Sequence, residues 1–127
     1  MVGGNHQIYG VNYFDVFTPV TLNPTHQIIL VIGVQHGYEI HMIHFKSEYL
    51  NRTIKEDIYI HAPPGYLKKD QEGMVMKSHK GLYGLKQAGL AWYEDLKYTM
   101  VSKLGFTCCS VDRGVFYKHN NEGCIIR

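Results

Sequence analysis

Residues 80–93 read KGLYGLKQAGLAWY and open the longest regular pattern in the chain. Beyond Lys86, apolar side chains recur every four positions, at Ala88, Trp92, Leu96 and Met100. This spacing places them on one face of a helix. Gly105 follows the pattern and can end a helix in a left-handed conformation. The sequence therefore predicts a helix over residues 86–104.

A second helix is predicted upstream of this stretch. Asn23 can cap a helix, and Pro24 suits its first turn. Gly37 can close the helix in a left-handed conformation. The residues in between are apolar on most sides of a helix, at Ile28, Ile29, Leu30, Val31, Ile32 and Val34. Such a helix is expected to be buried.

Short strands are predicted where β-branched and aromatic residues cluster, at residues 38–45, 58–60, 74–76, 115–118 and 124–126. In the first of these, the period of two puts Ile40, Met42 and His44 on one face. Proline and glycine at residues 63–65 predict a turn. Residues 119–123 have the composition of a β-hairpin connection. Helices and strands together predict an α+β fold.

The composition is that of a globular chain. The 127 residues fit one domain, and 45% hydrophobic and 19% charged residues exclude a disordered tail. A formal charge of +2 is too small to indicate a nucleic-acid binder by itself. Three cysteines form no disulfide framework and favour a reducing compartment. Without a signal peptide or membrane-spanning pattern, an intracellular location, cytoplasmic or nuclear, is expected.

Several motifs occur in the order typical of one family, the copia-type retrotransposon reverse transcriptases. They lie at residues 9–20, 36–41, 45–51, 57–66, 80–93 and 104–118. The chain resembles this family over residues 7–126. The resemblance implies an α+β fold with an antiparallel palm-type sheet and packed helices, comprising the fingers and part of the palm. It implies that residues 1–127 are a single partial reverse transcriptase domain, truncated before the catalytic aspartate pair. The implied ancestral activity is RNA-directed DNA synthesis.

The resemblance also implies a site for two Mg²⁺ ions held by three carboxylates. The first carboxylate corresponds to His44, and the other two are expected just beyond Ile126. Imidazole suits zinc or copper better than magnesium, which prefers oxygen ligands. Glu48 and Asp57 match other positions of the family and do not replace the missing ligand. We therefore expect no intact catalytic residue, no metal site and no cofactor, and no polymerase activity from this chain alone.

Five residues correspond, by the resemblance, to nucleotide contacts of the family. Tyr49 falls at the aromatic steric gate beneath the incoming sugar, although a core tyrosine would explain it equally well. Tyr83 and Gly84 fall where the backbone approaches the nucleotide, and glycine permits a close approach. Lys86 and Gln87 would face template or phosphate, or would merely cap the start of the helix.

The sequence also leaves other kinds of function open. The chain is alternatively a non-catalytic module that retains a primer–template groove, with weak or no affinity for RNA and DNA. Pro63, Pro64 and Tyr66 form a Pro-Pro-x-Tyr string of the kind that WW domains bind in an extended conformation. A zinc site at His41 and His44 is disfavoured, because a strand points residues three apart to opposite faces and no Cys-x-x-Cys pair occurs. No membrane partner is expected.

Overall fold

The computed structural model describes residues 2–71, 73–120 and 123–127. Its internal contacts divide the chain into two compact units. The first comprises Met1–Phe17 and Ser47–Trp92, and the second comprises Thr18–Lys46 and Tyr93–Arg127. The chain combines helices with antiparallel strands, which confirms the predicted α+β class. The expectation of a single domain stays a prediction.

The first unit is built on one antiparallel pair of strands, β1 (Thr53–His61) and β2 (Val75–Lys80). Ile58 lies opposite Ser78, and an irregularity interrupts the ladder between Thr53 and Ile58. The two short strands predicted for this part of the chain are therefore confirmed, and both are longer than expected. Short 3₁₀ turns lie at Gly4–His6, Glu48–Asn51 and Lys69–Gln71.

The core of the first unit is small and is shared between β1 and the stretch that follows β2. Its buried side chains are Ile54, Ile58, Leu85 and Ala88. Partly buried apolar side chains surround them, at Val2, Tyr49, Ile60 and Leu82. Residues 80–93 therefore supply two of the four buried side chains, which fixes this stretch against the sheet.

The second unit contains α1 (Asn23–Gln35), with Pro24 in its first turn as predicted. Gly37 follows the helix with a φ of 67°. The expectation that α1 is buried is wrong. Gly33 is its one buried residue among those described, whereas apolar side chains on several sides are largely exposed, at Ile28 (58%), Val31 (65%) and Val34 (73%). A helix that is apolar all round needs neighbours on every side, and the second unit does not surround α1.

Residues 38–45 form no strand, so the strand predicted there is wrong. Side-chain patterns yield a strand only where a neighbour supplies the hydrogen-bond ladder. The side chain of Ile40 lies beside Gly33 of α1 instead. The shared sheet face expected for Ile40, Met42 and His44 is therefore wrong as well.

The helix predicted over residues 86–104 is confirmed, with a change of winding near its end. It consists of α2 (Ala88–Tyr98) and a π-helical turn (Thr99–Lys103). The wider turn is closed by Leu104, whose backbone N–H donates to the carbonyl oxygen of Thr99 at 3.1 Å. Across the described part of the chain, no helix combines the length and the hydrophobicity that a membrane span requires.

A three-stranded antiparallel sheet completes the second unit, in the order β3 (Thr107–Cys108), β4 (Phe116–Asn120), β5 (Gly123–Ile126). The predicted hairpin is confirmed by β4 and β5, while residues 121–122 of its connection lie outside the described residues. The sequence did not predict β3. Four buried side chains form the core cluster of this unit, Tyr93, Met100, Phe106 and Phe116, and Val115 is buried as well.

Candidate nucleotide-binding surface

Two of the predicted nucleotide contacts, Tyr49 and Tyr83, lie against each other in the first unit. Their ring centroids are 4.8 Å apart with an interplanar angle of 65°, an edge-to-face contact. Tyr49 lies on the 3₁₀ turn Glu48–Asn51 and packs partly buried against the core. Tyr83 is 39% exposed. The two rings therefore form an aromatic pair that is open to solvent at Tyr83.

Gly81 allows this pair to form, although sequence reasoning assigned it no role. Its backbone N–H donates to the carbonyl oxygen of Arg52 at 2.7 Å. A Cβ at this position would lie 2.7 Å from the carbonyl oxygen of Tyr49, closer than real Cβ atoms approach. A side chain at residue 81 would therefore push the Tyr83 backbone away from the Tyr49 turn.

The backbone of Gly84 is closely approached by the chain itself, whereas its predicted approach to a nucleotide stays a prediction. Gly84 has a φ of 103°, which side-chain-bearing residues rarely adopt. A Cβ on Gly84 would overlap the carbonyl oxygen of Val2, and one on Gly4 would overlap that of Gly84. The Val2 backbone N–H donates to the carbonyl oxygen of Tyr83 at 2.8 Å. Residues 2–4 thus occupy the space beside Gly84.

Lys86 and Gln87 are both held by the side chain of Gln7. Gln7 Oε1 accepts a hydrogen bond from the Lys86 backbone N–H at 2.8 Å, and Gln7 Nε2 donates to Gln87 Oε1 at 2.8 Å. Gln87 Nε2 donates in turn to the carbonyl oxygen of Asn12 at 2.9 Å. Gln87 is only 4% exposed. Its amide is therefore satisfied within the protein, as buried amides usually are.

The ammonium group of Lys86 lies at the surface beside the ring of Tyr13. Lys86 Nζ lies 3.3 Å from the Tyr13 hydroxyl oxygen and 4.6 Å from the Tyr13 ring centroid. Tyr9, which is 70% exposed, contacts the Tyr13 ring edge-to-face at 5.7 Å. A surface cation can neutralise phosphate, and an exposed ring such as that of Tyr9 can offer a stacking surface to bases.

His44 is exposed and lies in the second unit, in the irregular residues 38–45. His41 contacts Glu39, with 3.3 Å between Nε2 and Oε2. Throughout residues 2–71, 73–120 and 123–127, no three His, Cys, Asp or Glu side chains are grouped closely enough to hold a metal ion. Imidazole is also a poor ligand for Mg²⁺. His44 therefore does not fit the position of an oxygen ligand to Mg²⁺ that the family resemblance implies.

The Pro-Pro-x-Tyr string lies in a tight turn between β1 and β2. The Tyr66 backbone N–H donates to the carbonyl oxygen of Pro63 at 3.1 Å, and Gly65 has a φ of 78°, as in a type II turn. WW domains bind such strings in an extended conformation. The turn would have to open before this string could bind in that way.

Asp112 is a buried carboxylate for which sequence reasoning gave no role. Its Oδ2 accepts from the Leu22 backbone N–H at 2.9 Å, and its Oδ1 accepts from the Gly114 backbone N–H at 3.0 Å. The hydrogen bond from Leu22 is the main cause that lowers the pKa of Asp112, and bonds from the Thr25 side chain and Gly114 add to it, against the opposing effect of burial. Asp112 therefore anchors the start of α1 within the second unit.

Comparison with known proteins assigns the chain to a family. Residues 1–127 match the family described as reverse transcriptase (RNA-dependent DNA polymerase). The chain belongs to this reverse transcriptase family. It is similar to the retrovirus-related Pol polyprotein from transposon RE1 of Arabidopsis thaliana, with 34% identity over 122 residues. It is also similar to that from transposon TNT 1-94 of Nicotiana tabacum, with 30% identity over 126 residues. The copia-type resemblance is thereby confirmed.

This reverse transcriptase chain spans a small part of the curated relatives. The alignments cover 96% and 99% of the chain, but 8% of the RE1 polyprotein and 9% of the TNT 1-94 polyprotein. The Ty1-H Gag-Pol polyprotein of Saccharomyces cerevisiae is 31% identical over 112 residues, which is 80% of the chain and 6% of the polyprotein. No solved structure matches the chain.

Proposed function

We propose that this chain is a fingers and palm segment of a copia-type RNA-directed DNA polymerase that binds nucleotide and primer–template without catalysing nucleotide addition by itself. The family match over residues 1–127 supports the polymerase origin. The proposed lack of catalysis rests on one observation. His44 lies where the family resemblance places the first metal-binding aspartate. The nucleotide contacts are proposed at Tyr49, Tyr83, Gly84, Lys86 and Gln87.

The chemistry of His44 explains the proposed inactivity. In this reaction class, divalent ions bound to carboxylates activate the primer hydroxyl and stabilise the charge on the transferred phosphoryl group. An imidazole carries no negative charge in either protonation state, and it offers one nitrogen lone pair where a carboxylate offers two oxygens. His44 therefore cannot supply the negative oxygen ligand that attracts Mg²⁺ to such a site.

The first unit supports the binding half of the proposal. Tyr83 offers an exposed ring, held edge-to-face by Tyr49, against which a sugar or base can pack. Lys86 offers a surface ammonium group for a phosphate. Tyr83 and Lys86 are three positions apart in residues 80–93, and Leu85 and Ala88 of this stretch are buried in the core of the first unit. Binding by a few such groups is expected to be weak and strongly salt-dependent.

Salt-dependent binding of a primer–template duplex tests the binding half. Fluorescence anisotropy with a labelled RNA–DNA duplex should give an affinity that falls as salt rises. Lys86→Ala should weaken binding and reduce the magnitude of the logarithmic salt slope by about 1. Lys97→Ala is the matched control, because Lys97 is an exposed lysine of α2 in the second unit. Absence of binding, or equal losses in both variants, would contradict the proposed contact surface.

A further inference from the structure

One segment, residues 2–13, contacts four of the five proposed nucleotide contacts, and we call this segment the latch. The four are Tyr83, Gly84, Lys86 and Gln87. The latch begins on the backbone of Tyr83, where Val2 donates a hydrogen bond. It ends with Tyr13 beneath the Lys86 ammonium group. Gln7, between these ends, bonds to both Lys86 and Gln87.

The atoms that the latch occupies are those that a nucleotide would need. The backbone N–H of Lys86 and the amide oxygen of Gln87 are both bonded to Gln7. Lys86 Nζ lies 3.4 Å from the carbonyl oxygen of Gln7. With Gln87 at 4% exposure, its amide cannot meet a ligand in this arrangement. A phosphate could accept hydrogen bonds from the Lys86 backbone N–H, and from Gln87 Nε2, which donates to the Asn12 carbonyl oxygen, only after the latch had moved.

The contacts of the latch are of a kind that a charged ligand can displace. Gln7 bonds to Lys86 and Gln87 through neutral amide hydrogen bonds, which are individually weak against water. A triphosphate would replace Gln7 Oε1 as the acceptor of the Lys86 backbone N–H, and this charge-assisted hydrogen bond is stronger. The latch packs closely where Gly4 meets Gly84. Neither residue has a side chain that could add contacts to hold the latch in place.

We propose that the latch is an autoinhibitory contact that must release Lys86 and Gln87 before a deoxynucleoside triphosphate binds there. The inference rests on the proposed function, because it takes these two residues as nucleotide contacts. The apparent association constant of the chain is then that of the open form multiplied by the fraction of molecules in which the latch is open. Any change that opens the latch without altering Lys86 or Gln87 raises that affinity.

Gln7→Ala tests the latch with two readouts. Calorimetric titration with dATP at low ionic strength should show an affinity about tenfold above that of the unaltered chain, since two closing hydrogen bonds are lost. Amide hydrogen exchange at Lys86 should become faster in the same variant, because its N–H loses its acceptor. Gln71→Ala is the matched control. Gln71 also accepts a backbone N–H through Oε1, from Lys68 at 3.3 Å, but lies outside the latch.

A second variant keeps the test independent of Gln7. Gly4→Ala introduces a Cβ that overlaps the Gly84 carbonyl oxygen, so it should dislodge the latch and raise the affinity as well. If Gln7→Ala fails to fold, the affinity of Gly4→Ala for dATP tests the latch in its place.

If amide exchange at Lys86 becomes faster in these variants but the affinity for dATP does not rise, the autoinhibitory role is overturned. An unchanged exchange rate at Lys86 would overturn it as well. If the unaltered chain binds dATP and Lys86→Ala removes that binding, the proposed function survives such a failure. No binding by any variant would overturn both proposals.

Discussion

The carboxylate of Asp112 accepts a hydrogen bond from the backbone N–H of Leu22, 90 positions earlier in the chain, at 2.9 Å. Leu22 immediately precedes α1, so this bond satisfies a backbone donor at the start of that helix. The same carboxylate closes the turn at Gly114. A Cβ on Gly114 would lie 2.5 Å from the Thr21 backbone nitrogen, so the two segments touch where no side chain fits.

Replacing Asp112 by asparagine is expected to destabilise the second unit in a pH-dependent way. The pKa of Asp112 is lowered in the folded state, chiefly by the Leu22 hydrogen bond. Its contribution to the free energy of unfolding is therefore fully present above the unfolded-state pKa, and it is lost as pH falls through the lowered folded-state value. Thermal melting should show Asp112→Asn to be less stable at neutral pH, with the difference shrinking in acid.

Asp15→Asn is the control for this measurement. Asp15 is an exposed carboxylate that accepts a backbone hydrogen bond from Phe17 at 3.1 Å. Its replacement should change the melting temperature little, as for other surface substitutions. A stability difference between Asp112→Asn and the unaltered chain that stays constant down to strongly acidic pH would contradict the role assigned to Asp112.

Gly84→Ala is expected to destabilise the first unit by more than backbone strain alone. The strain of a side chain at a φ of 103° costs on the order of 1–3 kcal/mol, and overlap with the Val2 carbonyl oxygen adds to it. Urea unfolding measures the free-energy change. Gly65→Ala is the matched control, because Gly65 has a φ of 78° and a Cβ added there would meet nothing within 4 Å. Equal losses in the two variants would show that residues 2–4 do not pack on Gly84.

His44→Asp is expected to change the free energy of unfolding by less than about 0.5 kcal/mol, because exposed positions outside regular structure tolerate substitution. Ile58→Ala, at a position 4% exposed in the core of the first unit, should cost about 2–5 kcal/mol in the same urea titration. A large loss for His44→Asp would instead identify His44 as a structural residue and would remove it from the proposed vestigial site.

Elements with local signals could be predicted from the sequence. Pro24 lies in the first turn of α1, and Gly37 follows the helix with the positive φ that its lack of a side chain allows, although Asn23 is the first residue of the helix and not its cap. The spacing from Ala88 to Met100 likewise predicts the second helix. Each of these sequence patterns lies within a few residues of the helix that it predicts. The prediction therefore did not depend on contacts with distant parts of the chain.

Features that depend on distant partners could not be predicted. Residues 38–45 have the composition of a strand but lie outside the strands of the described chain, and composition does not reveal which segments meet. The bond between Gln7 and Gln87 joins residues 80 positions apart, so the resemblance that indicated Gln87 could not indicate what covers it. The exposure of α1 has the same origin, since burial depends on which other elements pack against a helix.

Primer extension is the most direct test of the central claim that this reverse transcriptase segment does not catalyse nucleotide addition by itself. The purified chain would be given a labelled DNA primer on an RNA template with all four deoxynucleoside triphosphates and Mg²⁺ or Mn²⁺. A reverse transcriptase with all three metal-binding carboxylates serves as the positive control. We predict no extension above a heat-inactivated sample, because His44 cannot supply the first carboxylate. Template-dependent extension by the unaltered chain would contradict the account.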